Sequence, residues 1–153
     1  MIHYLHREQV IPAPVEAVWA YFCDPKNLNE ITPPDMNFEI VKGGDAAMYE
    51  GQIIEYRVEF IQEVKSLWLT EIVHVRDGEY FVDEQRVGPY RFWYHEHVFE
   101  RVGNGTKMTD RVTYAAPFGF LGDIVNAAWI SGRLKYIFDF RKRKIAELFG
   151  EAK

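Results

Sequence analysis

His95 and His97 stand two apart in "FWYHEHVFE", beside Trp93, and Asp110 follows in the next β-rich run, "KMTDRVTYAAP". Two imidazoles at this spacing share one side of a β-strand, so whatever they do they do together. Three chemistries suit the set. A His-x-His pair with a carboxylate on the next strand is the beginning of a three-ligand metal centre. An imidazole oriented by a carboxylate is an acid–base pair, here with His97 carrying the proton and Asp110 orienting it. The third is a polar lining, completed by water, for an amphipathic molecule held in a cavity. Against all three stands plain mutual satisfaction of buried polar groups in a core.

Other motifs narrow the choice. The single His-x-His has no ligand spacing elsewhere to support it, so no metal is expected. Ser66 and Ser131 are the only serines, neither lies in a Gly-x-Ser-x-Gly turn, and Cys23 sits in a different segment, so no nucleophile joins His97. Gly43-Gly44 leads into neither a Lys-Ser/Thr pair nor a helix, which removes a phosphate cradle, and no cofactor is expected.

Direction decides which chemistry is open. With Asn104-Gly105 as a two-residue hairpin turn, Phe99 faces Asp110, His97 faces Val112 and His95 faces Tyr114. One side then carries Trp93, His95, His97 and Phe99 with Met108, Asp110, Val112 and Tyr114. The other carries Glu96 and Glu100 near Arg111, with Thr109 and Thr113, and belongs in water. The histidine side therefore points inward. By the same alternation "LWLTEIVHV" turns Trp68, Thr70, Ile72 and His74 in and Glu71 out. Gly88-Pro89 hides the register of the strand before it, where Phe81, Asp83 and Gln85 are assigned inward. An inner side this polar exceeds what a plain core needs, because unpaired buried polar groups are penalised.

The elements that position these residues follow from periodicity. Residues 2–11 read as a strand; Val15, Val18, Trp19 and Phe22 mark an amphipathic helix; Asp24-Pro25 restarts a short helix to Ile31. Six strands follow, at 36–42, 50–60, 64–76, 79–87, 90–102 and 106–116, separated by turn residues, which makes an antiparallel meander. Asp123 is placed to cap a long helix running to Gly150, with Ile130, Leu134, Ile137, Phe138, Ile145 and Leu148 on one stripe. Such a helix spans about 40 Å, enough to cross a curved sheet that wraps around it. The fold class is α+β, a single domain over 1–153.

Composition bounds the partners. The 153 residues are 48% hydrophobic, 27% charged and 16% aromatic, a globular composition with bulky interior side chains. A net charge of -5 gives no general attraction for nucleic acid, and the basic run Arg141-Lys142-Arg143-Lys144 reads as a solvated helix end. No apolar stretch is long enough for stable membrane insertion, "MIHYLHREQV" lacks a signal-peptide apolar region, and the lone Cys23 suits a reducing compartment; a cytoplasmic location is expected. No protein partner is indicated.

Taken together, "IPAPVEAVWAYFCDPKNLNEITPP", "GPYRFWYHEHVFE", "TDRVTYAAPFGFLG" and "YIFDFRKRKIAELF" resemble the SRPBCC superfamily across nearly the whole chain. This is the helix-grip fold of birch-pollen-allergen-like proteins, START-related lipid-transfer domains, polyketide cyclases and coenzyme Q-binding proteins. Trp93, His95, His97, Phe99, Asp110 and Tyr114 match the pattern of its small bacterial ligand-binding members. The resemblance implies a seven-stranded antiparallel sheet folded over the last helix, with a hydrophobic or amphipathic ligand such as a lipid, quinone or polyketide between them. The residues expected to line that ligand are Trp68, Thr70, His74, Asp83, Gln85, Trp93, His95, His97, Asp110, Tyr114 and Phe138. The alternative is a cyclase or dehydratase in which His97 and Asp110 are the acid–base pair. Function varies widely on this fold, so the site itself must decide.

Overall fold

The computed structural model describes residues 1–153. Strand β1 (His3–Ile11) leads into helix α1 (Val15–Phe22), which buries Val15, Val18 and Phe22 at helical spacing. Two short 3-10 turns follow, Pro25–Asn29 and Pro34–Met36, the first capped by Asp24, whose side chain accepts from the Lys26 amide at 3.0 Å. Six further strands come next: β2 (Glu39–Lys42), β3 (Ile53–Ile61), β4 (Val64–Arg76), β5 (Tyr80–Val87), β6 (Phe92–Val102) and β7 (Gly105–Ala115). They form one antiparallel seven-stranded sheet in the order β1-β7-β6-β5-β4-β3-β2.

The C-terminal helical run is segmented. Helix α2 (Gly119–Val125) passes through a π-type turn, Asn126–Ile130, into helix α3 (Ser131–Phe149). The wider turn brings Asn126 inward, where its Oδ1 accepts from the Tyr114 hydroxyl at 2.9 Å and its amide group lies 3.3 Å from His3 Nδ1. Leu134, Ile137, Phe138 and Ile145 of α3 are buried against the sheet, as their spacing predicts, whereas Leu148 is exposed and Phe149 packs in its stead. Asp123 lies inside α2 rather than capping it, and its carboxylate pairs with His3 on β1 at 3.2 Å.

Alternation on β6 runs as expected: Trp93, His95, His97 and Phe99 are buried, and the residues between them lie on the outer side. There Glu96 stands directly across from Arg111 on β7, and the rings of Phe92 and Tyr94 stack at 6.5 Å. The turn differs from the expected one by a residue. Gly103 and Asn104 form it, positive φ occurs only at Gly103 (58°), and Gly105 begins β7. Gly105 has a different duty, because a Cβ there would stand 2.7 Å from the Ile11 carbonyl oxygen where β1 crosses. The correct pairs are therefore His97 with Asp110, His95 with Val112 and Trp93 with Tyr114. A shift of two residues preserves the side each residue faces, so the inward assignment is unaffected.

His74 is a correction of a different kind. The β4–β5 register slips between Ile72 and His74, and this bulge reverses the alternation, so Val75 packs inward and His74 turns out, 3.5 Å from Glu50.

Candidate functional site

The inner side of the sheet carries two apolar clusters. One gathers Phe81, Phe99 and Met108 with Ile145; the other gathers Trp93, Val112 and Tyr114 with Leu134 and Phe138. Between them, at one level of β5, β6 and β7, lies a polar layer of Asp83, His95, His97 and Asp110. Cross-strand pairing brings it together, since Asp83 is opposite His95 and His97 is opposite Asp110.

Within the layer each imidazole has its own carboxylate. His97 Nε2 lies 2.6 Å from Asp83 Oδ2, and His95 Nε2 lies 2.8 Å from Asp110 Oδ1. The second contacts are longer: His97 Nδ1 is 3.3 Å from Asp110 Oδ1 but makes no hydrogen bond, and His95 Nδ1 is 3.8 Å from Asp83 Oδ2. The two imidazole rings stack at 3.7 Å, and Phe81 stacks on the far side of His97 at 4.1 Å. His95, His97 and Asp110 are each below 8% exposed, so the layer is shielded from bulk solvent.

Proton affinities divide along the same lines. Burial lowers His95 below the ordinary imidazole value, with the neighbouring His97 adding to the effect. Burial also opposes charge on His97, but contacts with Asp110 and Asp83 outweigh it and raise that imidazole. For Asp110 burial is again opposed, here by His95 and His97, which hold its carboxyl far below the usual carboxylate range. Asp83 is lowered against burial by the His97 hydrogen bond and the charge of the nearby imidazoles and Arg141.

A space of about 140 Å³ lies between the sheet and α3. Its walls are mainly apolar: Trp68, Ile72, Phe81 and Trp93 from the sheet, Leu134, Ile137 and Phe138 from α3, and Leu28 and Met36 from the 3-10 turns. Asp83, His95, His97, Thr70 and Arg141 contribute its polar wall. Trp68 and Trp93 meet edge to face at 5.3 Å, and the Trp68 indole N–H donates to the Thr70 hydroxyl at 3.1 Å.

The family model described as "Polyketide cyclase / dehydrase and lipid transport" matches residues 11–141. The chain belongs to this family. Solved structures agree in fold. A Chromobacterium violaceum protein superposes with a TM-score of 0.74 at 16% identity, covering 98% of this chain and 99% of its own. An aromatase/cyclase from Streptomyces gives 0.72 at 13% identity, covering 95% and 92%, and a START superfamily protein from Mycobacterium smegmatis gives 0.71 at 12%, covering 95% and 99%. At such identities the likeness is one of fold, the helix-grip arrangement of curved sheet and C-terminal helix. No curated protein matches the chain in sequence.

Within this polyketide cyclase and lipid-transport fold, the expected lining residues fall into distinct places. Trp68, Thr70, Asp83, Trp93, His95, His97 and Phe138 border the space. Asp110 stands behind the two imidazoles, and Tyr114 is buried with its hydroxyl committed to Asn126. Gln85 clamps the loop after β5, donating to the Tyr90 carbonyl at 2.7 Å and accepting from the Tyr90 amide at 3.1 Å. His74 is outside, as described. The expected His97–Asp110 hydrogen bond is replaced by His97–Asp83.

Arg141 was missed by reading the basic run as solvated. Its guanidinium lies 5.1 Å above the Phe138 ring, its Nε is buried without a partner, and it borders the space. The signal was present, because 134, 138, 141 and 145 continue one helical stripe.

Proposed function

We propose that this protein binds a hydrophobic or amphipathic small molecule between the sheet and α3, its apolar body against Trp68, Trp93 and Phe138 and its polar end toward His95, His97, Asp83 and Arg141. The observation that carries this is the space itself, apolar on most sides and polar at one wall. A plain core would close it, since lining atoms without neighbours forgo dispersion contacts.

Size sets the class of guest. A cavity of about 140 Å³ compares with the ~150 Å³ that admits benzene, and drug-sized ligands use roughly 300 Å³ or more. One ring or a short alkyl segment fits without rearrangement. A longer lipid, quinone or polyketide exceeds this volume, so part of it would lie outside the space as it stands. No helix of the chain is long and apolar enough to cross a membrane. The proposed setting is the cytoplasm, where the single thiol of Cys23 needs no disulfide partner.

Native mass spectrometry of protein purified from its own host, followed by organic extraction, tests the proposal. A stoichiometric co-purifying small molecule is expected. An unadorned mass, together with no saturable quenching of tryptophan fluorescence across a panel of single-ring and short-chain probes, would refute it.

A second reading, cyclase or dehydratase chemistry, is favoured by one feature: His97 borders the space, holds its proton more tightly than a free imidazole, and contacts two carboxylates. It assigns Asp83, rather than Asp110, as the orienter of His97. His97→Gln should then abolish conversion of a poly-β-ketone substrate while leaving its binding intact; equal product from both proteins excludes the idea.

A further inference from the structure

We propose that Asp83, His95 and His97 form a site for one divalent first-row transition ion of the zinc type, bound through Asp83 Oδ2, His95 Nδ1 and His97 Nε2, with Asp110 supporting both imidazoles from behind. The inference goes beyond small-molecule binding and does not depend on it.

One donor atom from each of the three residues lies within 4.8 Å of the others. Metal–ligand bonds of about 2.0–2.2 Å in a tetrahedral site place neighbouring donors about 3.3–3.6 Å apart. His97 Nε2 and Asp83 Oδ2, now 2.6 Å apart, would open slightly, and His95 Nδ1, now 3.8 Å from the same oxygen, would close slightly. Each of these two distances changes by no more than about 1 Å, on strands whose pairing is regular at these positions.

A second observation is independent of that spacing. Histidines that ligate metals characteristically direct the other ring nitrogen to a carboxylate or carbonyl. Here Asp110 Oδ1 is hydrogen-bonded to His95 Nε2 at 2.8 Å and stands 3.3 Å from His97 Nδ1 without bonding it. His97 Nδ1 is buried with no hydrogen-bond partner, and rotating the ring to receive an ion at Nε2 lets Nδ1–H turn to Asp110. Both remaining nitrogens are thus presented to Asp83 on the side that borders the cavity.

Donor chemistry selects the ion. Two imidazoles and one carboxylate suit zinc, cobalt, iron or nickel rather than magnesium or calcium, which favour oxygen throughout. Three protein donors leave a coordination position open, and it faces the 140 Å³ space, where water or an oxygen of a guest fits.

The test uses full-length protein dialysed against a chelator and titrated with cobalt(II) chloride, read by visible absorption, then with zinc chloride in competition. One equivalent should bind. Asp83→Asn and His97→Gln should weaken binding by more than about 100-fold, and Asp110→Asn by about 10–100-fold. His6→Gln and His74→Gln, on the surface, should change nothing. Absence of stoichiometric uptake, or uptake that survives Asp83→Asn and His97→Gln, overturns the site. If those variants fail to fold by circular dichroism, X-ray absorption at the zinc edge of the wild-type protein decides: two imidazole ligands are expected, and none contradicts the proposal. Small-molecule titrations repeated with chelator present separate this result from that of the binding function.

Discussion

His97 Nε2 stands 2.6 Å from Asp83 Oδ2, joining β6 to β5 by side chains at the level where Phe81 stacks on the imidazole. Together with the His95–Asp110 pair at 2.8 Å, it makes a buried polar layer between two apolar clusters. Such a layer is stable only while every member keeps its partner. The same layer supplies the polar wall of the space beside α3, so fold and site rest on the same contacts.

Removing one carboxylate from the layer should be costly. Asp110→Ala leaves two imidazoles facing a void and is expected to lower unfolding free energy by roughly 3–5 kcal/mol. Glu71→Gln, which breaks the exposed Arg86–Glu71 pair on the outer side, should cost under about 1 kcal/mol. Urea denaturation of both variants measures the contrast; equal losses would mean that the layer contributes no more than a surface ion pair.

Filling the space should separate binding from stability. Ile137 borders it from α3, and Ile137→Phe places a ring into existing volume. Quenching of tryptophan fluorescence by single-ring probes should disappear while Tm moves by no more than about 4 °C. Undiminished quenching would locate the probe elsewhere.

Much of this arrangement was legible in the sequence because period-two alternation survives errors of register. Placing the turn at Asn104-Gly105 instead of Gly103-Asn104 displaced every cross-strand pair by two residues, yet left His95, His97 and Asp110 on the correct side. A bulge has no such protection. One slip at Val73 sends His74 to the surface, and nothing in "TEIVHVR" marks it. The His97–Asp83 bond depends on the β5–β6 register, which the Gly88-Pro89 loop concealed and Gln85 fixes by gripping Tyr90. Asp123 looked like a helix cap because of its residue type, but α2 already begins at Gly119, and the π-type turn that follows holds Asn126 against the Tyr114 hydroxyl, a contact distant in sequence that local pattern does not reveal.

Gly105 should prove indispensable although it lies in a strand. Its added Cβ would meet the Ile11 carbonyl at 2.7 Å, and backbone cannot yield as a side-chain tip can. Gly105→Ala is expected to destabilise by roughly 1–3 kcal/mol in thermal or urea unfolding. Gly78→Ala, where nothing lies within 4 Å of the new atom but φ is 75°, separates strain from collision: loss of the same size in both would remove the steric explanation.

Cys23 should be chemically quiet. It is 5% exposed, and burial pushes its thiol up to about 12, with Asp77 adding repulsion. An unfolded cysteine ionises near its ordinary ~8.5, so the folded chain keeps a proton that the unfolded chain loses. The associated stability is intact below ~8.5 and declines as pH rises toward 12. Thiol reagents at mildly alkaline pH should label the native protein far more slowly than the urea-unfolded one; equal rates would show an accessible thiolate.

The most direct measurement is NMR of the histidine side-chain nitrogens during titration with p-cresol, a single-ring phenol matched to the space. His95 and His97 should shift together, saturably and with one midpoint, while exposed His6 and His74 stay constant. Unchanged His95 and His97 resonances, or shifts that grow linearly and equally at all four, would contradict a guest held against the imidazoles.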